Sequence, residues 1–415
     1  MENQILEQYE RTLLVGSYKD DEEEFNYSME ELKNLAQSCY LDVVEEVSQK
    51  IRAVTPSTYF GKGKIEEIKQ IVEEKEIQMV VLNDDLSPSQ MRNIQEIVGC
   101  DVIDRNTLIL DIFARRAKTK EAQLQVEVAQ LKYLLPRITI LTSNFNQRLG
   151  KRGTGETKYE LNRRKIETDI IAKENELANM VEVRKMQRRK RGKNDIPVVA
   201  IVGYTNAGKS TLLNTLLEYS SVENDKKVFA ENMLFATLET TTRQIILKNN
   251  KKFLLTDTVG FVSKLPHGLV KAFRSTLEEV TEADLILHVI DLSNKDYEKQ
   301  KKVTESVIRE IGVKDIPILN VYNKIDQLDS ISLGDGIFIS AYKNQNIADL
   351  INEIEKNLYK GYKTVRLVIP FNQGHIYNIL KEQANIITTE FKDDGTHILV
   401  ELNEELYNRY NHLLN

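Results

Sequence analysis

Ile196-Pro-Val-Val-Ala-Ile-Val202 runs directly into Gly203-Tyr204-Thr205-Asn206-Ala207-Gly208-Lys209-Ser210, and Thr211-Leu-Leu-Asn-Thr-Leu-Leu217 follows. The first stretch is a buried-strand pattern, the last a helical one, and the eight residues between have the spacing G-x-x-x-x-G-K-S. Glycines in such a turn let backbone N–H groups approach phosphate oxygens closely. Lys209 can bridge the β- and γ-phosphates, Ser210 can ligate Mg²⁺, and the helix N-terminus adds a positive dipole end. This context makes a phosphate loop, and with it an α/β fold. The loop alone does not choose between adenine and guanine.

The choice is made downstream. The apolar run ILNVYNKID (318–326) ends in Asn323-Lys324-Ile325-Asp326. A carboxylate at Asp326 can accept from guanine's N1–H and exocyclic amine, a donor pair that adenine lacks, so adenine would leave it unpaired. Asn323 can tie this loop to the phosphate loop, and the Lys324 stem can cover the base. IFISAY (337–342) supplies Ser340, Ala341 and Tyr342 at a strand end, where backbone N–H groups can support the base. Between these motifs, KKFLLTDTVGF (251–261) places Asp257 at the end of an apolar strand, where a carboxylate holds the Mg²⁺ shell through water. Thr258 and Val259 lead to Gly260, whose N–H can donate to a γ-phosphate and make the next segment nucleotide-sensitive. Upstream, Leu234-Phe235-Ala236-Thr237-Leu238-Glu239 opens a threonine-rich loop suited to a first switch. Several of its threonines could ligate Mg²⁺, and periodicity does not choose among them.

Working towards the N-terminus, RTLLVGSY (11–18), YLDVVEEV (40–47), IQMVVLND (77–84) and CDVID (100–104) read as strands. Between them SMEELKNLAQ (28–37), KIEEIKQIVEEK (64–75) and SPSQMRNIQEIV (87–98) read as helices, with Ser28 and Ser87 as N-caps and Pro88 in a first turn. The alternation predicts a parallel α/β domain over residues 1–113. From 114 to 192 helix formers dominate. Leu124, Val128, Leu131 and Leu135 form one apolar stripe, and Leu161, Ile166, Ile170, Leu177 and Val181 a second. These predict two long antiparallel helices joined by a basic loop, SNFNQRLGKRGTGET (143–157), the second ending in RKMQRRKRGK (184–193). Residues 193–362 are the phosphate-loop domain. In 363–415, VRLVIPF (365–371) and HILVELN (397–403) read as strands around the helix GHIYNILKEQANI (374–386), a small α/β domain.

Charge separates along the 415 residues. The net charge is −6, yet residues 114–191 carry 20 Lys/Arg against 9 Asp/Glu, which is +11 and leaves −17 elsewhere. Such asymmetry is the mark of a local polyanion-binding element, or of a solvated helical face. No apolar run approaches the roughly 20 residues of a membrane span. The first residues, MENQILEQYE, lack a basic-then-apolar leader pattern. Two cysteines, Cys39 and Cys100, give no disulfide framework, and they read as core thiols in a reducing cytoplasm. His267 reads as a loop residue and His288, in LILHVID, as a core residue.

FATLETTTR (235–243), LLTDTVGFVSKLPHGLVKAFRSTLEEVTEADLILHVID (254–291) and NKID (323–326) resemble the HflX family of translation-factor-related GTPases. So do TYFGKGKIEEI (58–68), LNDDLSPSQMRNIQ (82–95), DRNTLILDIFARRAKTKEAQLQVEVAQLKYLLPR (104–137) and RGTGETKYELNRRKI (152–166), so that the resemblance covers nearly the whole chain. It implies a Mg²⁺-dependent GTP hydrolase in which Lys209, Gly260 and Thr237 act on the γ-phosphate, with Ser210 and Thr237 as metal ligands. It also implies binding of GTP and GDP, association with the 50S ribosomal subunit and its 23S rRNA, and dissociation of stalled or idle 70S ribosomes. A cytoplasmic, monomeric protein is expected. Some relatives also use ATP through the N-terminal half, so RNA remodelling driven by ATP or GTP is the second reading. Two departures stand out. The loop before RGTGE is short, with Thr154 where proline is usual, a change of the kind found in relatives tied to antibiotic resistance. Phe261 stands where many GTPases carry a water-orienting glutamine, so hydrolysis needs help from the ribosome or from K⁺, which Asn206 resembles the residue to ligate.

Overall fold

The computed structural model describes residues 10–148, 158–191, 196–220, 241–247, 249, 251–263, 279–328 and 335–414. They fall into two compact units.

In the first unit, β1 (Arg11–Tyr18), β2 (Asp42–Lys50), β3 (Met79–Leu82) and β4 (Asp101–Asp104) form one sheet in the order β2-β1-β3-β4, every pairing parallel. Leu13, Leu14 and Val15 in succession are fully buried, as expected of a strand covered on both faces. The covering helices are α1 (Glu22–Ser38), α2 (Lys62–Glu74), α3 (Pro88–Val98) and α4 (Arg105–Arg116). Ser87 caps α3 in a reciprocal capping box with Gln90, and Pro88 occupies the first turn, as its spacing predicts. Ser28 caps nothing. Helix α1 begins six residues earlier, where Asp21 accepts from the Glu24 N–H at 2.8 Å and Glu22–Glu24 meet the positive end of the dipole. Ser28 lies in mid-helix, buried, exchanging hydrogen bonds of 3.1 and 2.9 Å with Asn83.

Two long helices follow, α5 (Lys120–Arg148) and α6 (Lys158–Arg191). Helix α5 continues through Pro136 and takes in the first six residues expected in the basic loop. Beyond the proline, the Arg137 guanidinium lies 3.3 Å from the Tyr133 ring centroid and pairs with Asp104 at 3.0 Å, which fixes the chain where a backbone donor is missing. Residues 149–157, including Thr154, lie outside the described residues. Lys120–Glu176, Lys132–Glu174 and Lys173–Glu127 ion pairs join the two helices. The two apolar stripes differ: Leu124 and Val128 are buried, whereas of the second stripe only Ile170 is, and Leu161 is 52% exposed. Among its described residues, helix α6 therefore presents most side chains to solvent.

In the second unit β5 (Val198–Gly203), β6 (Thr241–Ile246), β7 (Lys252–Asp257), β8 (Leu285–Asp291), β9 (Ile318–Asn323) and β10 (Ile337–Phe338) make a sheet of order β10-β9-β8-β5-β7-β6, parallel except for β6. Helices α7 (Lys209–Glu218), α8 (Tyr297–Glu310) and α9 (Ile347–Leu358) pack on it. His288 in β8 is buried, and burial beside Lys301 and Lys209 pushes its imidazole down to about 4, so it is a neutral core residue. Its Nδ1 has no partner among the described residues.

The last part of this unit differs from the expectation. After β11 (Lys363–Ile369), helix α10 (Gly374–Gln383) stops at Ala384, and Asn385–Lys392 forms a strand, β12, where the helical reading ran on to Ile386. With β13 (Gly395–Leu402) it gives an antiparallel sheet of order β11-β13-β12, followed by α11 (Glu404–Tyr410). The β-branched run Ile386-Ile-Thr-Thr389 favours strand, and a long partner in β13 supplies the hydrogen bonds. Lys251 fastens this domain to the phosphate-loop domain through Glu355 at 3.2 Å and Glu401 at 2.9 Å. Burial pushes both thiols up, Cys39 to about 12 and Cys100 to about 11. Among the described residues no helix is long and apolar enough to cross a membrane.

Candidate functional site

Strand β5 delivers the chain to Gly203, and α7 begins at Lys209, so residues 203–210 form the turn at the C-terminal end of a central parallel strand. Open α/β sheets place ligands at this edge. Gly208 has φ +90°, and a Cβ there would lie 2.3 Å from the Asn323 amide nitrogen, so no other residue fits between the two loops. Lys209 is buried, and its Nζ donates to the Tyr204 carbonyl at 2.7 Å. Burial pushes the Lys209 ammonium down to about 8; the Asp257 carboxylate opposes this and Lys324 adds to it. The Ser210 hydroxyl donates to Asp257 at 2.8 Å. Thr205 is buried, and its hydroxyl has no hydrogen-bond partner among the described residues. A glycine-lined cradle, a buried ammonium, an unpaired hydroxyl and a hydroxyl–carboxylate pair suit a phosphate group and a hard divalent cation.

The strand carrying Asp257 sorts its neighbours. Thr258 is buried and donates to the Ile201 carbonyl at 2.6 Å, and Val259 is buried too, so their side chains belong to the fold. A Cβ on Gly260 would meet Thr205 at 2.8 Å and Lys209 Nζ at 2.9 Å, which places its backbone directly over the phosphate loop. Phe261 then pairs with the loop: its N–H donates to Gly203 O at 3.2 Å, and its carbonyl accepts from the Thr205 N–H at 2.8 Å. The Phe261 ring is buried in an apolar cluster with Tyr204, Val280 and Ile286. It anchors the backbone, and no side chain at 261 reaches towards water.

The loop from Asn323 to Asp326 and the turn at 340–342 meet beside the phosphate loop. Asn323 donates to Ala207 O at 2.9 Å and accepts from the Ala341 N–H at 3.0 Å, joining the phosphate loop to the 340–342 turn. Ser340 donates to Asp326 at 2.6 Å, which orients one carboxylate oxygen of an otherwise exposed side chain. Lys324 has a positive φ of 68° and is held by Asp291 at 2.7 Å, a partner that no motif pointed to. Ile325 is core, and Tyr342 is 80% exposed. Asn206 is exposed at φ 61°, at the rim of the loop. Phe235, Ala236, Thr237, Leu238 and Glu239 lie outside the described residues, as does His267.

Comparison with known proteins identifies three parts of the chain. Residues 26–114 match a family model for a GTP-binding GTPase N-terminal region, 116–191 one for the GTP-binding GTPase middle region, and 198–324 one for a 50S ribosome-binding GTPase. Among curated proteins, the GTPase HflX of Caldanaerobacter subterraneus subsp. tengcongensis is 44% identical over 407 residues, covering 96% of this chain and 92% of its own. That of Alkalihalophilus pseudofirmus is 42% identical over 400 residues, with 94% and 93% covered, and that of Escherichia coli 34% over 399, with 93% and 92% covered. Among solved structures, a GTP-binding protein from the archaeon Sulfolobus solfataricus in complex with GDP is 27% identical, with 85% of this chain and 99% of its own covered and a TM-score of 0.45. Similarity to the HflX proteins spans nearly the full length of both partners, and it runs through the phosphate-loop domain as well as the two regions before it. The chain belongs to the HflX family of GTPases, proteins that bind guanine nucleotides and hydrolyse GTP.

Proposed function

We propose that this GTPase binds the 50S ribosomal subunit and its 23S rRNA, and uses that binding to dissociate stalled or idle 70S ribosomes, with GTP hydrolysis as the release step. The observation that carries this reading is the basic segment at 114–191, whose second helix leaves Arg164 and Lys165 in solvent while the rest of the chain is acidic. Contacts of this kind to RNA phosphates release counterions, so binding falls steeply as salt rises. The match of 198–324 to a 50S ribosome-binding GTPase supports the same target. We assign residues 1–113, 114–192, 193–362 and 363–415 to the four domains, and a cytoplasmic monomer fits the proposed task.

In the nucleotide site, Gly203–Ser210 wraps the phosphates, Lys209 bridges the β- and γ-oxygens, and the Gly260 N–H donates to the γ-phosphate. Asp326 reads guanine's donor pair, and Asn323, Lys324, Ser340 and Ala341 hold the base loop. Ser210, Thr237 and Asp257 are the residues that would hold Mg²⁺, and the ion would supply positive charge to the phosphate oxygens. Phe261 leaves the attacking water without a side-chain guide, which makes external help necessary. Asn206, exposed at the rim of the loop, would hold K⁺; equal turnover in potassium and sodium would remove that role. The short loop around Thr154 faces the peptidyl-transferase region in this reading. Susceptibility to ribosome-targeting antibiotics with and without the gene then tests whether it confers protection.

The decisive experiment is a sucrose gradient of 70S ribosomes with the protein and a non-hydrolysable GTP analogue. Depleted 70S with the protein migrating on the large subunit supports the reading. Intact 70S with the protein at the top overturns it and leaves the GTPase in search of another target.

A further inference from the structure

Three buried threonines of the phosphate-loop domain spend their hydroxyls on backbone carbonyls. Thr215 donates to Ala341 O at 2.8 Å, Thr258 to Ile201 O at 2.6 Å and Thr304 to Gln300 O at 3.1 Å. Thr205 is as deeply buried, at 5% exposure, yet its hydroxyl has no hydrogen-bond partner among the described residues. A buried hydroxyl without a partner is a net cost to the fold, and an apolar group of the same shape removes that cost. Valine would therefore serve the packing at 205 at least as well as threonine. The fold accounts for a branched side chain here and not for its oxygen.

The place of this side chain is fixed within its own domain. The Thr205 N–H donates to Phe261 O at 2.8 Å, and the Phe261 N–H donates to Gly203 O at 3.2 Å. A short parallel bridge between Tyr204 and Phe261 thus sets Thr205 in register beside Gly260. A Cβ on Gly260 would lie 2.8 Å from the Thr205 methyl carbon and 2.9 Å from Lys209 Nζ. The Gly260 backbone, the Lys209 ammonium and the Thr205 side chain therefore border one point. In the nucleotide site proposed above, the first two take the γ-phosphate, so the third stands beside the same phosphate.

We propose that the Thr205 hydroxyl is a γ-phosphate ligand, donating to an oxygen that GTP has and GDP lacks. A hydrogen bond to a charged oxygen is stronger than one between neutral groups, and it offsets the cost of burying the hydroxyl. Lys209 bridges β- and γ-oxygens and so holds both nucleotides. Thr205 touches only the γ-phosphate, and its side chain separates substrate from product. This inference rests on the nucleotide-site assignment, and its test keeps the two apart.

The test measures the affinities of the full-length chain for GDP and for a non-hydrolysable GTP analogue, with Mg²⁺ present. Thr205→Val keeps the branched shape and removes the oxygen alone. We expect the ratio of GTP-analogue to GDP affinity to fall about tenfold or more, the usual worth of a hydrogen bond to a charged group. The nucleotide-free variant should unfold at the wild-type temperature or above it, since a buried unpaired group has gone. Thr205→Ser, which keeps the hydroxyl and loses the methyl, should retain the wild-type ratio. An unchanged ratio in folded Thr205→Val overturns the proposal, as does an equal loss for both nucleotides. A loss in Thr205→Ser as large as that in Thr205→Val overturns it too, because the methyl would then be the group that matters. Failure of the wild type to bind either nucleotide would instead overturn the site assignment.

Discussion

The parallel strands of the N-terminal sheet and of the phosphate-loop sheet end in C-terminal edges built for opposite purposes. In the phosphate-loop domain the edge is open: glycines bring backbone N–H groups to the surface, the Thr205 hydroxyl has no partner among the described residues, and buried Lys209 has a carbonyl as its partner. In the N-terminal domain the same edge is filled by the chain itself. Asp104, fully buried, caps α4 through Thr107 at 2.9 Å and pairs with Tyr133 and with Arg137 at 3.0 Å. Asp85, its carboxyl held above the usual range by burial and by neighbouring Asp104, accepts from Asn106. Arg105 and Asn83 complete the network. The lesson is that fold position offers a site, and local chemistry decides whether a ligand or the protein's own side chains satisfy it.

This contrast can be broken at either edge. The largest effect is expected from Lys209→Ala, which by the proposed assignment removes the cation on the transferred phosphoryl group and should lower kcat by about a thousandfold or more. Normal turnover in that variant would show that the open edge is not the catalytic one. At the filled edge, Arg105→Met strands the Glu31 carboxylate in a buried site and should cost about 3–5 kcal/mol in denaturant unfolding. A loss below about 1 kcal/mol would mean that water already reaches the pair. Asp326→Asn should reduce discrimination of GTP over ATP by about a hundredfold, since the carboxylate is what adenine leaves unpaired. Unchanged selectivity in competition binding would move base recognition to the 340–342 turn.

A smaller and graded effect concerns pH. With Lys209 pushed down to about 8, its side chain is charged below that pH, the form proposed to bind phosphate, and neutral above it. Nucleotide affinity should thus hold from pH 6 to 8 and fall by up to about tenfold per unit beyond, as binding must then take up a proton. For stability the sign is opposite. The folded chain gives up this proton more readily than the unfolded one, so Lys209's own contribution to stability rises between pH 8 and 10.5. Calorimetry at pH 7, 8 and 9 checks the affinity, and a profile flat to pH 9 would mean that the lysine stays charged when buried. Lys209→Arg, charged throughout, should flatten the profile.

Much was legible because it is local. Residues 203–210 between strand and helix, Asn323 to Asp326 after a strand, and the Ser87–Gln90 capping box depend on neighbours a few positions apart, and the elements appear where the periodicity puts them. Errors came where a distant partner competes with a local preference. Ser28 has the chemistry of a cap, but Asp21 starts the helix and Asn83, 55 residues on, takes the Ser28 hydroxyl. The helical reading of 374–386 ran past the helix end at Gln383 into Asn385 and Ile386, which β13 takes into its ladder of hydrogen bonds. The basic loop expected from Ser143 begins later, because α5 runs on to Arg148.

By itself, then, the sequence determined the α/β class, the guanine-nucleotide motifs and the separation of charge into a basic middle and acidic flanks. These are properties of short windows and of composition, governed by backbone propensity and the spacing of functional groups. Tertiary structure alone decided which side chains are satisfied by which. Phe261 became a core anchor, Lys324 found Asp291, and Glu31 and Arg105 closed on Ser263 across 232 and 158 residues. Buried polar groups must be paired wherever the chain brings a partner, and sequence separation does not enter that requirement.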